Sequence, residues 1–432
     1  MAYPTGTVFE IRTTGLSTNG GGYIPGGVGT DHSQQDAVWS NGTDLVIDGA
    51  DNTKVTSAGV PFATDDVGNI INIASGVNFT PARYAIKDVT AGVATLDVAC
   101  GTVGATGGTW YLGGAMSSLE DFYGDLTSYS GYTVWIKKGT YTLLANHDWR
   151  SKDGWRDEEH YVIIGYNSTR GDSTVANDRP LLSNGAYYLW TGSHTSFQNI
   201  RITGTASPML IIETNSLWSN AKIENTSGTS GRRAVQFSLF AAVFNSELSS
   251  TNGTAIYTTT SARIINNYVR DSVVGIDISG GSLIDFNVVD TCVTGLLLTG
   301  AYDSIIKNNI IYNSTLGMSL NNITGCFFSY NNIIDTCTTG ASNSSSAVRN
   351  YFDYNNWHGN GTDVSNIEKG TNALALDPEF IDAPSGNFGV GENMKASSPF
   401  PGGLSTSYLD LGAVQREEPA GGGGQTSYTW VG

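Results

Sequence analysis

An internal repeat with a period near 22 residues limits this chain to a small set of folds. Between residues 195 and 358 an aliphatic residue follows an Asn-rich step in every repeat, and successive steps are 21, 25, 21, 20, 22 and 23 residues. Short alternating segments such as GIDIS at 275–279 accompany them, without helical periodicity. The pattern predicts a solenoid in which each repeat forms one coil of short parallel strands. The aliphatic markers are Ile202, Ile223, Leu248, Val269, Val289, Ile311 and Ile334.

Glycine and asparagine each keep a fixed place in the repeat. A glycine follows the marker by six residues, where we expect each coil to turn into its next strand: Gly275, Gly295, Gly317 and Gly340. An asparagine precedes the marker by two residues: Asn267, Asn287, Asn309 and Asn332. Stacked Asn amides hydrogen-bond to each other in cross-β ladders. We therefore predict an internal Asn ladder at a bend, with a polar ligand track as the alternative.

The repeat resembles that of the right-handed parallel β-helix of pectate-lyase-like proteins, through its Asn-Asn-aliphatic and Gly-Ile-x-Ile segments. Residues 377–414 also resemble the closing segment of many bacterial and phage β-helix proteins, except at Phe400, where that family usually has a small residue. The resemblance covers roughly 130–415 and implies a fold rather than an activity. The matching residues near the end are Asp377, Pro378, Phe380, Ser398, Pro399, Gly402, Asp410, Gly412 and Ala413.

The predicted fold class is all-β, a right-handed single-stranded parallel β-helix with a small inserted β-domain near the N-terminus and a short capping helix. Helically spaced apolar residues lie at 117–126, where Ser117 and Glu120 fit a capping box. We expect this helix to cover the open end of the solenoid. The predicted domains are 1–36, an N-terminal arm and first β-helix strand; 37–114, the inserted β-domain; 115–415, the capping helix and parallel β-helix; and 416–432, a Gly-rich C-terminal tail.

The charge and cysteine content narrow the classes of partner and cofactor. Lys and Arg number 22 against 39 Asp and Glu, which gives a net charge of −17 and no basic field for a nucleic acid. No apolar stretch is long enough for a membrane span, and the N-terminal residues lack the features of a secretory signal. The four cysteines form no CxxC pair, which favours buried free thiols. We expect no nucleic-acid partner, no membrane insertion and no cofactor.

Catalytic carboxylates on such a solenoid should share or neighbour a position in nearby coils, because adjacent strands lie about 4.8 Å apart. The positions beside the markers pair no carboxylates in consecutive coils, and Arg201, Lys222 and Glu247 suggest an outward charge ladder. We expect no catalytic site. The densest set of acidic residues occupies different positions of the repeat, and its members are the catalytic candidates if a site exists. They are Asp271, Asp277, Asp285 and Asp290.

Two other segments suggest binding. The polar loop at 147–160 contains carboxylates that would suit a cation, although it lacks the spacing of a dedicated Ca²⁺ loop, and a surface loop with local ion pairs is the alternative. These candidate ligands are Asp153, Asp157, Glu158 and Glu159. After a glycine run that predicts flexibility, the C-terminal tail presents Tyr428 and Trp430. They would serve assembly by docking on a neighbouring chain, or pack back on their own chain.

The preferred functional interpretation is a non-catalytic structural protein on the surface of a phage virion, acting in capsid decoration or as a spike or fibre. The opening stretch FEIRTTGLSTNGGG also resembles the start of β-helix proteins encoded by tailed phages. Under this interpretation we expect a homotrimer in the virion, with capsid or tail proteins as partners and a host surface polysaccharide as a candidate ligand. The alternatives are a polysaccharide lyase or glycoside hydrolase of the β-helix class and an extracellular bacterial adhesin.

Overall fold

The computed structural model describes residues 4–125, 131–149, 160–172, 174, 176–300, 303–321, 326–344, 349–391, 394 and 411–414. Strands account for 47% of the structure, which contains a solenoid of about eight turns and a closed six-stranded barrel. The predicted all-β parallel β-helix with an additional β-domain near the N-terminus is therefore confirmed. The chain divides into two compact units, which are Met1–Leu144 with Trp149–Ser183 and His194–Arg201, and Ala145–Asp148 with Asn184–Ser193 and Ile202–Gly432.

The barrel lies in the first unit and closes in the order β3-β4-β7-β6-β5-β8. All of its neighbouring strands are antiparallel, and alternate side chains point inward around Trp110, which contacts Phe62 at a ring-centroid distance of 5.0 Å. Closure leaves the barrel without unpaired strand edges. Its strands are β3 Ser40–Ile47, β4 Lys54–Thr56, β5 Ile70–Ser75, β6 Ala82–Thr90, β7 Val93–Leu96 and β8 Thr106–Leu112.

The first unit also contains solenoid strands. The first of them, β1, pairs in parallel with β9, and β9 pairs in parallel with β12. Short 3-10 turns lie at His32–Gln34, Thr64–Asp66 and Ala176–Asp178. These strands are β1 Val8–Ile11, β9 Thr133–Lys137, β10 Thr140–Thr142, β12 Tyr161–Tyr166, β13 Leu181–Gly185 and β15 Thr195–Gln198. The short strand β2 Gly22–Tyr23 pairs antiparallel with β1.

The helix α1 (Leu119–Asp125) packs against the interior of the first coil. Phe122 is buried and lies 5.1 Å from Phe9, a core residue of β1. The predicted capping pair was wrong by one position, because the Ser118 hydroxyl accepts a hydrogen bond from the Asp121 backbone amide and Asp121 accepts one from the Ser118 amide. No helix in the described part of the chain is long and apolar enough to cross a membrane.

The second unit stacks its strands into three parallel sheets, numbered here in the order in which each coil visits them. Sheet 1 contains β18 Leu217–Ser219, β21 Ala241–Phe244, β24 Ala262–Ile265, β27 Leu283–Asp285, β30 Ser304–Lys307, β33 Cys326–Tyr330 and β36 Arg349–Asp353. Sheet 2 contains β16 Arg201–Gly204, β19 Lys222–Asn225, β22 Glu247–Ser250, β25 Tyr268–Arg270, β28 Val288–Asp290, β31 Ile310–Tyr312, β34 Ile333–Asp335 and β37 Asn356–His358. Sheet 3 contains β11 His147–Asp148, β14 Leu189–Trp190, β17 Leu210–Ile212, β20 Arg233–Phe237, β23 Thr254–Thr258, β26 Val274–Ile278, β29 Thr294–Thr299, β32 Leu316–Asn321, β35 Thr339–Asn343 and β38 Thr362–Ser365.

The aliphatic markers form one buried column in sheet 2. From Ile223 to Ile334, each marker pairs directly with the marker of the next coil. Each is fully buried, since side chains alternate between the two faces of a strand and the marker faces inward. The repeat that the sequence shows is therefore the register of the solenoid.

An Asn ladder stabilises the bend between sheets 1 and 2. The Asn287 side chain donates to the Asn309 side-chain oxygen at 3.0 Å, and Asn309 donates to Asn332 at 2.9 Å. The ladder extends to Asn355 in the next coil. The residue before each ladder Asn has a positive φ, such as 52° at Asn308, which Asn tolerates better than most residues. This confirms the predicted ladder.

The glycine column has a different cause from the one expected. Gly275 and Gly295 lie inside β26 and β29, and neither has a positive φ. A Cβ atom on Gly275 would lie 2.6 Å from the carbonyl oxygen of Gly295, and one on Gly295 would lie 2.7 Å from that of Gly317. Glycine is therefore required because the coils approach each other closely, and the expectation of a turn at these positions was wrong.

The C-terminal segment folds back over the outer face of sheet 2. There the outward residues Val288, Ile310 and Ile333 form an apolar column. The C-terminal segment covers this column and so buries an apolar surface that would otherwise face solvent. A short 3-10 turn, Ala383–Ser385, lies within this cover. The covering residues are Ala383, Phe388, Val390, Met394, Leu411 and Ala413.

Candidate functional site

The four aspartates proposed as catalytic candidates do not converge. Asp277 lies on β26 in sheet 3, Asp285 on β27 in sheet 1 and Asp290 on β28 in sheet 2. Asp271 follows β25, and its backbone amide donates to the Asp290 backbone oxygen at 3.3 Å. Only Asp271 and Asp290 are therefore neighbours, because successive strands of one coil belong to different faces of the solenoid.

Asp277 and Asp285 each have partners from the next coil. The Thr299 hydroxyl donates to Asp277 at 2.8 Å, and the Asn308 amide donates to Asp285 at 2.9 Å, with the Lys307 ammonium 3.4 Å from Asp285. The pKa of both carboxyl groups is raised, because burial disfavours their charged forms more strongly than these partners stabilise them. Each carboxylate belongs to a pair between neighbouring coils on its own sheet.

Sheet 2 presents the longest outward polar column in the described part of the solenoid. Its members pair directly from coil to coil, so their side chains project from the same face. The column follows the buried markers by one residue, which places it on the opposite face of the strands. In order it contains Glu224, Ser249, Arg270, Asp290, Tyr312, Asp335 and His358.

Asp290 and Asp335 are the two carboxylates of this column, with Tyr312 between them. Two strand spacings separate them, which is about 10 Å. Asp290 accepts hydrogen bonds from the hydroxyl groups of Tyr268 at 2.8 Å and Thr291 at 2.6 Å. Burial raises the pKa of Asp290, although both hydroxyl groups stabilise its charged form.

Asp335 has the same kind of environment. The Thr336 hydroxyl donates to it at 2.9 Å, and Nδ1 of His358 lies 2.7 Å from its other oxygen. Only 9% of Asp290 and 5% of Asp335 is exposed. Each carboxylate is therefore enclosed by the next residue in the chain and by a ring from an adjacent coil.

A charge ladder occupies the earlier coils of the same face. The Lys222 ammonium lies 3.2 Å from Glu247, and the Arg270 guanidinium lies 2.8 Å from the same carboxylate. Burial raises the pKa of Glu247, but its ion pairs with Arg270 and Lys222 outweigh this effect and hold the pKa below its usual value. The Lys222–Glu247 part of the predicted ladder is present, and it extends to Arg270, which the sequence interpretation had not included.

A buried ion cluster in the first unit was not predicted. Glu10 is fully buried and accepts hydrogen bonds from Arg12 at 2.8 Å, from Arg170 at 2.7 Å and from the Tyr166 hydroxyl. Arg170 also contacts Asp31 at 2.8 Å. Because Arg170 is 160 residues from Glu10, no local sequence pattern could reveal the pairing. The cluster joins β1 to the residues that follow β12.

The predicted cation ligands Asp153, Asp157, Glu158 and Glu159 lie outside the described residues, as do the assembly candidates Tyr428 and Trp430. Within the described ranges, no group of three or more His, Cys, Asp or Glu side chains is arranged to hold a metal ion. Of the four cysteines, Cys100, Cys292 and Cys337 are buried free thiols and Cys326 is partly exposed. Burial raises the pKa of Cys292 and of Cys337 to about 12.

Comparison with known proteins finds similarity in structure alone. No family model matches the sequence, and no curated protein matches it. The chain is similar to the crystal structure of pectate lyase Pel9A, with 14% identity, a TM-score of 0.46, and coverage of 67% of this chain and 89% of that one. It is also similar to the GH136 lacto-N-biosidase from Eubacterium ramulus, with 11% identity, a TM-score of 0.40, and coverage of 61% and 65%. For XylC in complex with xylose the identity is 7%, the TM-score is 0.38, and the coverage is 86% and 87%.

Proposed function

We propose that this chain is a non-catalytic structural protein on the surface of a phage virion. The absence of catalysis in this proposal rests on one observation: neighbouring side chains enclose the outward carboxylates of sheet 2. Asp290 and Asp335 are each less than one tenth exposed and are held by hydroxyl or imidazole groups of the solenoid itself. A general acid or base must reach its substrate within hydrogen-bonding distance. Enclosed carboxylates of this kind stabilise the stacking of coils.

The solenoid suits a protein on the outside of a particle. Its coils are joined by parallel strand pairing on three sheets, by the Asn ladder and by the close approach of the glycine column. Each coil is stabilised by its neighbours, as in other solenoid proteins. The virion assignment itself rests on the resemblance of the opening stretch FEIRTTGLSTNGGG to the start of β-helix proteins encoded by tailed phages.

The proposed assembly is a homotrimer that contacts other virion proteins of the capsid or tail. Multi-angle light scattering of the purified chain should give three times its 45.7 kDa mass. A stable monomer at micromolar concentration would count against the trimer. Mass spectrometry and a density map of particles from the same source should find the chain on their surface, and its absence from both would contradict the virion assignment.

A host surface polysaccharide is the ligand that we propose for such a surface protein. Binding without cleavage would leave the polysaccharide chain length unchanged, since no bond is broken. A glycan array with the intact protein tests this part separately from catalysis. A bacterial surface adhesin, located outside the cell, would bind glycans in the same way, and the particle analysis distinguishes it from a virion protein.

The second candidate is a glycoside hydrolase, and the shared column of Asp290 and Asp335 favours it. Their separation of about 10 Å is close to the 6.5–9.5 Å typical of inverting enzymes. Burial also raises the pKa of Asp290, as a general acid requires. If the chain cleaves a polysaccharide in this way, Asp290→Asn and Asp335→Asn should each abolish the release of reducing ends. Asp277→Asn, on another sheet, should retain it.

A further inference from the structure

Sheet 1 carries an apolar stripe on its outer face. Four consecutive coils contribute outward side chains that pair directly with each other, namely Leu283, Ile305, Phe328 and Tyr351. Ile305 is 37% exposed, Phe328 is 45% exposed and Tyr351 is 40% exposed. Phe328 and Tyr351 are in contact, with ring centroids 6.1 Å apart. A contiguous exposed apolar surface of this kind usually marks a binding surface.

The neighbouring face shows how this chain covers such a stripe. On sheet 2, the outward apolar residues Val288, Ile310 and Ile333 are buried by the C-terminal segment, which includes Phe388 and Leu411. The stripe on sheet 1 resembles this column on sheet 2, but no described residue covers it. The residues that follow the C-terminal segment in the sequence are therefore the nearest candidates to cover the stripe.

The described part of the cover ends close to sheet 1. The Gly412 backbone amide donates to the Asn331 carbonyl oxygen at 3.2 Å, at the bend between sheets 1 and 2. Val414 borders a small cavity together with Asn266 and Phe286, which lie at the same bend in earlier coils. Val414, the last residue that the structure describes, therefore lies at the edge of sheet 1.

The length and composition of the remaining chain fit this stripe. Trp430 follows Val414 by sixteen residues, and a glycine run at 421–424 lies between them. A random-coil chain of sixteen residues has a root-mean-square end-to-end distance of about 22 Å. The stripe lies roughly 15 Å from Val414, as judged from strand spacing and rise per residue. The end of the chain contains Tyr428, Trp430 and Val431, which are suited to an apolar surface.

We propose that Tyr428 and Trp430 of the same chain cover the apolar stripe formed by Leu283, Ile305, Phe328 and Tyr351. Tethering favours the chain's own tail over that of a second copy, because a short flexible linker gives an effective concentration in the millimolar range. This proposal is independent of the proposed virion function. It identifies the stripe as an intramolecular docking surface.

A native cysteine provides the test. Cys326 lies two residues before Phe328 on β33, so both side chains face outward, and it is the partly exposed member of the four cysteines. In a Thr429→Cys variant of the full chain, which keeps both docking rings, mild oxidation should link Cys326 to the new cysteine. The product should run at monomer mass on a denaturing non-reducing gel and give the linked peptide by mass spectrometry.

A matched variant separates docking from random collisions of the tail. Ser342 lies on β35 in sheet 3, with partial exposure. In the triple variant Cys326→Ser, Ser342→Cys, Thr429→Cys, linking should be about tenfold slower, since only docking raises the local concentration at sheet 1. Equal rates at the two positions would overturn the proposal. Links found only between chains would also overturn it, because they identify a second copy as the occupant.

A further variant examines the stripe itself. Phe328→Asp changes an exposed side chain, so the solenoid should remain folded, as circular dichroism can verify. Combined with Thr429→Cys, it should slow the Cys326 link about tenfold by replacing an apolar contact with a charge. Phe328→Leu should restore the rate. An unchanged rate in the folded aspartate variant would contradict docking on the stripe.

Discussion

The side-chain oxygen of Asn309 accepts two hydrogen bonds from Asn287 in the preceding coil, one from its backbone amide at 2.9 Å and one from its side-chain amide at 3.0 Å. The Asn309 amide in turn donates to Asn332 and to the backbone oxygens of Ile284 and Lys307. One buried side chain therefore satisfies groups in three coils.

Asn309→Ala should destabilise the solenoid by about 3 kcal/mol, because it leaves several buried polar groups without partners. The expected result is a lower urea concentration at the unfolding midpoint. Thr315→Ala, at an exposed position of the same coil, should change the free energy of unfolding by less than about 0.5 kcal/mol. A similar effect of both substitutions would show that the ladder does not stabilise the stacking.

Gly295→Ala should destabilise the second unit by about 2 kcal/mol through overpacking. The added methyl group would lie 2.7 Å from the Gly317 carbonyl oxygen and 2.8 Å from an Ile311 methyl group. Gly228→Ala serves as the control, because nothing lies within 4 Å of its Cβ position. Thermal unfolding should show a lower midpoint for the first variant alone, and tolerance of both would contradict the close approach.

Glu10→Gln should destabilise the first unit by about 3–5 kcal/mol, as expected when one partner of a buried ion cluster is removed. Hydrogen exchange in β1 and β9 would report the loss locally. Asp178→Asn breaks the more exposed pair with Lys138, whose atoms lie 2.6 Å apart, and should cost no more than about 1 kcal/mol. Equal effects would argue against a special role for Glu10.

Asp277 and Asp172 should contribute to the pH dependence of the free energy of unfolding with opposite signs. Burial raises the pKa of Asp277, so the folded state binds this proton more tightly than the unfolded chain does. Its contribution therefore favours folding at low pH and is lost as the pH rises from about 4 through the raised pKa. Asp277→Asn should gain stability relative to the wild type between pH 4 and pH 7.

Asp172 provides the opposite case. Although burial raises its pKa, hydrogen bonds from the backbone amides of Ser168, Asn167 and Thr169 lower it to about 2. Its contribution is present above about pH 4 and is lost as the pH falls towards 2. Asp172→Asn should therefore lose stability relative to the wild type at pH 7. Unfolding midpoints across this range measure both differences, and the same sign for both variants would contradict the assignment.

The register of the solenoid can be predicted from the sequence because each residue pairs with the residue at the same position of the next repeat. Each marker from Ile223 to Ile334 pairs with the next, as its spacing indicates. The ladder position of Asn309 follows for the same reason. The glycine column was placed correctly but explained incorrectly, since only the structure shows the carbonyl group that a Cβ atom on Gly295 would meet.

Contacts between distant segments could not be predicted in this way. The barrel closes through pairing of β3 with β8, and Glu10 meets Arg170, in both cases across a long stretch of chain without a periodic pattern. The cover over sheet 2 did leave a signal, because Val288, Ile310 and Ile333 occupy an outward position that is polar in earlier coils. In the polar column of sheet 2, the sequence pattern extends only to Asp335, since Trp357 replaces the aliphatic marker before His358.

The proposed absence of catalysis is tested most directly by incubating the intact protein with a panel of bacterial surface polysaccharides and plant pectins, and measuring reducing and unsaturated ends. We expect no release above a heat-denatured control at any pH between 4 and 9. Release of either kind of end by the wild-type protein, abolished by Asp290→Asn and retained by Asp277→Asn, would contradict a structural role and identify sheet 2 as an active site.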